Sequence, residues 1–179
     1  MKFKTWLAEN KSEFIYPDNI HPTKHIGRGH FAHVYDTNVP GVVMRVEPIM
    51  SEKQLADIRP EFRNQSCEKF MMKPEIQATG GVAKIYNTQI RDYDLSDDKN
   101  PIFITYKEKV NTNWQPLLNI PEYLFITYGQ EQNMLAKELE KYPETKALSN
   151  AIKAGLPTID LHHHNLGLNS KGQLVAIDC

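Results

Sequence analysis

The segment TIDLHHHN occupies residues 158–165, and Asp178 follows thirteen residues beyond Asn165. Between them, Leu166 to Leu168 and Leu174 to Ile177 read as two short strands, joined through the turn residues Asn169, Ser170, Lys171 and Gly172. A hairpin brings the end of its second strand back to the start of its first, so Asp178 is expected beside Asn165. Asp160 and Asn165, five apart in a loop, can turn toward the same point. Such a trio suits phosphoryl transfer to an alcohol: one carboxylate accepts the hydroxyl proton, and two oxygen ligands hold magnesium against the phosphates.

A second signal lies near the other end. Gly27, Arg28, Gly29, His30, Phe31, Ala32, His33 and Val34 form a GxGxxxxV pattern on a strand, a turn and a strand. Glycines there let backbone N–H groups approach phosphates with no side chain in the way. No helix follows directly, which excludes a dinucleotide-binding fingerprint and a Walker loop, since both need a helix N-terminus after the turn. Taken alone, the pattern also fits a plain hairpin with two turn glycines.

Outward from these motifs, residues 23–29, 32–37 and 42–47 read as three strands, with Pro40 and Gly41 between the last two. Helices are expected over 51–57 and 60–72, with Phe62, Cys67, Phe70 and Met71 on an apolar face, ended by Pro74 and the Gly80, Gly81 pair. Strands 82–90 and 102–110 follow, separated by a solvated acidic loop holding Asp92, Asp94, Asp97 and Asp98. From Pro121 the pattern turns helical, with Met134, Leu135 and Leu139 in one stretch and Ala147, Leu148, Ala151 and Ile152 in the next. The expected class is α+β: a strand-rich half over 1–107 and a connector with a helix-rich half over 108–179.

In this order the motifs resemble the protein-kinase-like superfamily, from Ile26 to the last residue. Gly27, Gly29 and Val34 match its glycine-rich loop, with Ala32 where a third glycine is usual. Val42, Val43, Met44 and Arg45 resemble the strand whose fourth residue is the phosphate-binding lysine, replaced here by arginine. Ile102 to Val110 is similar to the fifth strand and hinge, which implies adenine contacts from the backbone of Glu108 and Val110. Asp160 and Asn165 match the catalytic loop, and Asp178 the aspartate opening the DFG motif. The resemblance implies a bilobal fold with a five-stranded antiparallel N-terminal sheet, a C helix and a truncated helical C-lobe. It also implies ATP with Mg2+ or Mn2+ as cofactors, Asp160 as catalytic base, Asn165 and Asp178 as metal ligands, and Arg45 as phosphate clamp. Gly27, Arg28, Gly29, His30, Phe31 and Ala32 then form the lid over the phosphates. The glutamate pairing with Arg45 is expected at Glu68, with Glu61 as runner-up.

Two departures bear on activity. A guanidinium is wider than an ammonium and prefers bidentate partners, and a misplacement of about an ångström can cost roughly a hundredfold in rate. The sequence given stops at Asp178 and Cys179, so no activation segment and no regulation by its phosphorylation are expected. Minimal kinases of this kind resemble bacterial effector kinases and phage-encoded kinase-like proteins. The leading expectation is a phosphotransferase acting on a protein hydroxyl. A pseudokinase serving as a protein-binding module is the alternative, and a small-molecule kinase of antibiotic-phosphotransferase type, suggested by DLHHHN, ranks third.

Composition narrows the partners. Lys and Arg number 21 against 22 Asp and Glu, a formal net charge of -1, so no global field draws the chain to nucleic acid or membrane. The charged N-terminal stretch lacks a signal peptide's apolar run, no segment approaches the roughly 18 apolar residues of a membrane span, and Cys67 and Cys179 read as free thiols, so a cytoplasmic setting is expected. His162, His163 and His164 are consecutive and cannot readily converge on one tetrahedral ion; His162 is expected to shape its loop or face phosphate. Trp114, Tyr123, Phe125 and Tyr128 are read as packing residues.

Overall fold

The computed structural model describes residues 19–28, 32–48, 70–92, 101–121, 123–128, 131–158 and 160–178. The fold is α+β, with a five-stranded antiparallel sheet and short helices. The chain divides into two compact units, Met1–Gln54 with Ile85–Glu108 and Leu55–Lys84 with Lys109–Cys179. Residues 70–84 group with the second unit and not with the sheet.

The first unit is the sheet. Strands β1 (Pro22–Arg28), β2 (His33–Thr37), β3 (Val42–Pro48), β4 (Ile85–Asp92) and β5 (Pro101–Glu108) lie in the order β1-β2-β3-β5-β4. Because side chains alternate along a strand, Val42 and Met44 of β3 share a face with Ile104 and Tyr106 of β5. Together with Ile20 they form an apolar cluster, against which Tyr35, Val39, Val46 and Tyr86 pack. Val43, Arg45 and Glu47 take the other face of β3. Pro40 and Gly41 close the β2–β3 turn, where Gly41 sits at φ 79° and Val42 N–H donates to the Val39 carbonyl. Positive φ after proline is the type II turn, which explains glycine there.

In the second unit, helix α1 (Pro74–Gln77) begins at Pro74, so the proline expected to end a helix starts one. Met71 and Ile76 are fully buried, which anchors 70–84 in this unit. Helices α2 (Tyr123–Tyr128), α3 (Gln132–Leu139) and α4 (Lys146–Lys153) follow. Leu135, Ala136 and Leu139 of α3 are buried, as are Ala147, Leu148, Ala151 and Ile152 of α4. Met134, read as part of the α3 face, is instead 47% exposed, and Tyr123, read as a packing residue, is 59% exposed; in each case the next residue, Leu135 or Leu124, turns inward. The buried Ser149 hydroxyl donates to the Ala136 carbonyl at 2.7 Å and ties α4 to α3.

Strands β6 (Leu166–Leu168) and β7 (Leu174–Ala176) form the expected hairpin. Its turn is held by Asn169, whose Oδ1 accepts the N–H groups of Lys171 and Gln173, each at 3.0 Å, and by Gly172 at φ 73°. Residues 81–83 run along β7: Ala176 N–H donates to Gly81 at 3.0 Å and Ala83 N–H to Ala176 at 2.8 Å. This is why β4 starts at Ile85 and not at Val82, since Val82 is already bridged to Ala176. No helix among the described residues is long and apolar enough to cross a membrane.

Candidate functional site

Asp160, Asn165 and Asp178 come together within the second unit. The loop before β6 turns through Asp160 and closes in a single 3₁₀ turn, His163–Asn165. Asn165 is its centre. Its Nδ2 donates to the Asp160 carbonyl at 2.8 Å and to Asp160 Oδ2 at 3.2 Å. Its own carbonyl receives the Ile177 N–H at 2.9 Å and the Asp178 N–H at 3.4 Å. One residue thus fixes the loop aspartate through its side chain and the hairpin aspartate through its backbone. The spacing makes this possible: five residues span the loop, and the β6–β7 hairpin brings position 178 back to position 165.

The histidines divide their work. His162 Nδ1 accepts the His164 N–H at 3.3 Å, which shapes the loop as expected, while its Nε2 lies 3.5 Å from Asp160 Oδ1. The rings of His163 and His164 lie 3.7 Å apart, centroid to centroid. Among the described residues no group of three or more His, Cys, Asp or Glu side chains gathers as a metal site. Trp114, buried at 1% exposure, donates its indole N–H to the His163 carbonyl at 3.1 Å and meets Phe125 edge-on. It supports the loop from beneath, a role its sequence context did not disclose.

Val110 belongs to the same unit. Asn111 exchanges backbone hydrogen bonds with Leu168 of β6, both 2.9 Å. A Cβ on Gly167 would meet Val110 Cγ2 at 2.4 Å, so glycine at 167 is what admits Val110 against the hairpin. Glu108, the other expected adenine-binding position, ends β5 in the first unit.

In the first unit, Gly27, Val34 and Arg45 occupy one cross-strand row: Gly27 pairs with Val34, Val34 with Arg45, Arg45 with Thr105, and Thr105 with Thr88. Directly opposed residues share a face, so the glycine position and the cation expected to serve it are two strands apart. Arg28 ends β1 and is exposed, and Ala32 is 4% exposed before β2. Gly29, His30, Phe31, Glu61 and Glu68 lie outside the described residues, as do Cys67 and Cys179 and most of the acidic loop. Arg45 has a carboxylate partner that the sequence reading passed over: Nη1 lies 2.5 Å from Glu47 Oε2, with side-chain exposures of 12% and 18%. Two residues apart on a strand means one face, which was the available signal. Lys107, 4% exposed, and Thr105, fully buried, lie on this face as well. Thr105 Oγ1 has no hydrogen-bond partner among the described residues. A buried hydroxyl left so costs about 1–3 kcal/mol.

No protein-family model matches this chain, and no curated protein matches it. The geometry therefore carries the functional argument by itself.

Proposed function

We propose that this chain is a minimal, bilobal kinase-like phosphotransferase that uses ATP with Mg2+ or Mn2+ to phosphorylate a hydroxyl of a protein. The observation that carries the proposal is the convergence of Asp160, Asn165 and Asp178 through the two donations of the Asn165 amide and the two backbone bonds to its carbonyl. The donor set fits the metal. Asn165 Nδ2 donates to Asp160, and the Asn165 amide oxygen with the Asp178 carboxylate would supply the hard oxygens magnesium prefers. Asn165 and Asp178 would hold magnesium, which would offset the charge that develops on the phosphate oxygens.

Asp160 is the proton acceptor in this reading. Asn165 engages Oδ2, and Oδ1, which His162 Nε2 approaches at 3.5 Å, is the oxygen that receives the proton. The alcohol oxygen bonds to the γ-phosphorus as its proton passes to Asp160 Oδ1, and the bond to the β,γ-bridging oxygen breaks with its electron pair leaving on ADP. Arg45 clamps the phosphates, Gly27 to Ala32 cover them, and the backbone of Glu108 and Val110 holds adenine.

Transfer of label from radiolabelled ATP, together with thermal shifts in ATP and magnesium, tests this. Asp160→Asn should lower transfer by about a hundredfold or more and keep the nucleotide-induced shift, while Asp178→Asn should lose the metal-dependent part of that shift. Wild-type protein with neither label transfer nor a shift would sink the proposal. The Arg45–Glu47 pair favours a second reading, a nucleotide-binding module that recognises another protein without turnover, because a cation held by a carboxylate is drawn from phosphate. Its signature is a normal shift with no transfer.

A further inference from the structure

The β1–β2 hairpin carries an arrangement that the phosphotransfer reading does not use. His25 Nε2 and His33 Nδ1 lie 3.2 Å apart, on facing strands, with both side chains exposed. Tyr35 orders both rings: His25 meets it edge-on at 5.2 Å and His33 stacks with it at 6.5 Å. Tyr35 in turn packs against the apolar cluster of the sheet, so two imidazoles are fixed to a rigid support instead of swinging on a loop.

We propose that His25 and His33 form a two-imidazole site for a divalent transition metal ion. Two nitrogens bound at about 2.0–2.1 Å to one tetrahedral ion lie about 3.3 Å apart, close to the separation seen. The strands hold this spacing before any ion arrives, which removes the ordering cost that weakens a flexible pair. Neutral imidazole suits zinc, nickel and copper, and the affinity order runs copper above nickel and zinc. Water completes the coordination sphere, since the two rings are open to solvent. The site does not depend on Asp160, Asn165 or Asp178 and stands or falls apart from the phosphotransfer reading.

Titration of the whole chain with CuCl2, NiCl2 and ZnCl2 by calorimetry, with nickel-induced broadening of histidine ring resonances, tests the site. One ion per chain is expected, with His25 and His33 resonances broadened first. His25→Phe and His33→Phe keep an aromatic ring on Tyr35 while removing the nitrogen, so neither should lower the thermal midpoint. Each should weaken binding by more than tenfold, since loss of an outer-shell partner alone costs about 10–100-fold. Tyr35→Leu should weaken it less than loss of either ring, as befits a positioning residue. His164→Ala should leave it unchanged. The proposal is overturned if no ion binds at millimolar metal, if both phenylalanine variants bind as the wild type does, or if His164→Ala abolishes binding.

Discussion

Replacing Gly27 by alanine separates a glycine kept for the fold from one kept for a ligand. Gly27 does not have positive φ, and a Cβ built on it would meet nothing within 4 Å. Neither backbone conformation nor crowding among the described residues calls for glycine. Within a strand glycine is less favourable than alanine by roughly 0.5–1 kcal/mol, so Gly27→Ala should raise the thermal midpoint. For a chain of this length about 1 kcal/mol corresponds to roughly 2–4 °C, which predicts a gain of about 1–4 °C without ligand. The nucleotide response should move the other way. A ligand at a hundred times its Kd adds about 2.7 kcal/mol; if the new methyl weakens binding about tenfold, the addition falls to about 1.4 kcal/mol. A scanning fluorimetry series with and without ATP and magnesium reads both numbers. A variant destabilised without ligand would mean that the fold needs this glycine. A variant with an undiminished nucleotide shift would mean that nothing approaches its backbone, and the lid assignment for Gly27 to Ala32 would be refuted.

Thr105→Val removes the orphan hydroxyl at nearly constant shape; without ligand it should stabilise the protein by about 1–2 kcal/mol, seen as a higher urea midpoint, and a loss of stability would show that the hydroxyl has a partner. Gly81→Ala should be among the most damaging small changes: its Cβ would lie 2.1 Å from the Ala147 carbonyl oxygen, 2.5 Å from the Ala147 carbonyl carbon and 2.7 Å from Leu148 Cα, all backbone of α4. Overpacking of that kind costs about 3 kcal/mol, roughly 6–12 °C in Tm by differential scanning calorimetry, and a midpoint within a degree of wild type would refute the packing of 81–83 against α4. Lys153 donates to Glu140 and holds its carboxyl below the ordinary carboxylate range. With its folded-state pKa depressed, this pair stabilises above the unfolded-state value and loses that contribution as pH falls through the folded-state value. Both side chains are exposed, so the effect should be small and screened by salt. Lys153→Met should flatten the acid limb of Tm against pH at low ionic strength and leave it unchanged at high salt.

What the sequence disclosed was the part governed by short spacing. Asn169 and Gly172 are turn residues at turn positions, so the β6–β7 hairpin and the return of Asp178 to Asn165 followed from local chemistry. The strand after Pro40 and Gly41 followed in the same way from a turn and the apolar run Val42, Val43, Met44 and Val46. The α4 face followed from the helical spacing of Ala147, Leu148, Ala151 and Ile152. What stayed hidden was set at long range. Val82 is a strand-forming residue type, and nothing near it in sequence says that β7, over ninety residues on, takes the backbone bonds of its neighbours Gly81 and Ala83. Met134 and Leu135 are equally apolar, and only the partner helix decides which is buried. Trp114 and His163 are joined by one hydrogen bond across 49 residues, a distance at which residue type alone carries no signal.

The polar cluster of each unit, taken by itself, follows the same principle of construction. In the kinase-like resemblance, the strand cation is oriented by a glutamate borrowed from a helix. Here β3 provides a carboxylate of its own, because Glu47 stands two residues from Arg45 and the pleat turns both side chains the same way. In the second unit, the loop aspartate is held by an asparagine five residues on, and the hairpin aspartate by that asparagine's carbonyl. Each of these contacts is made by a residue of the same strand or of the same loop and hairpin. A site assembled this way is preorganised before ligand arrives, which is the condition under which fixed charges and dipoles contribute most to a transition state. The same economy has a cost at Arg45: a phosphate must compete with Glu47 for the guanidinium, whereas a helix glutamate could move aside. Under the proposed function, that competition would separate a slow phosphotransferase from a nucleotide-holding module.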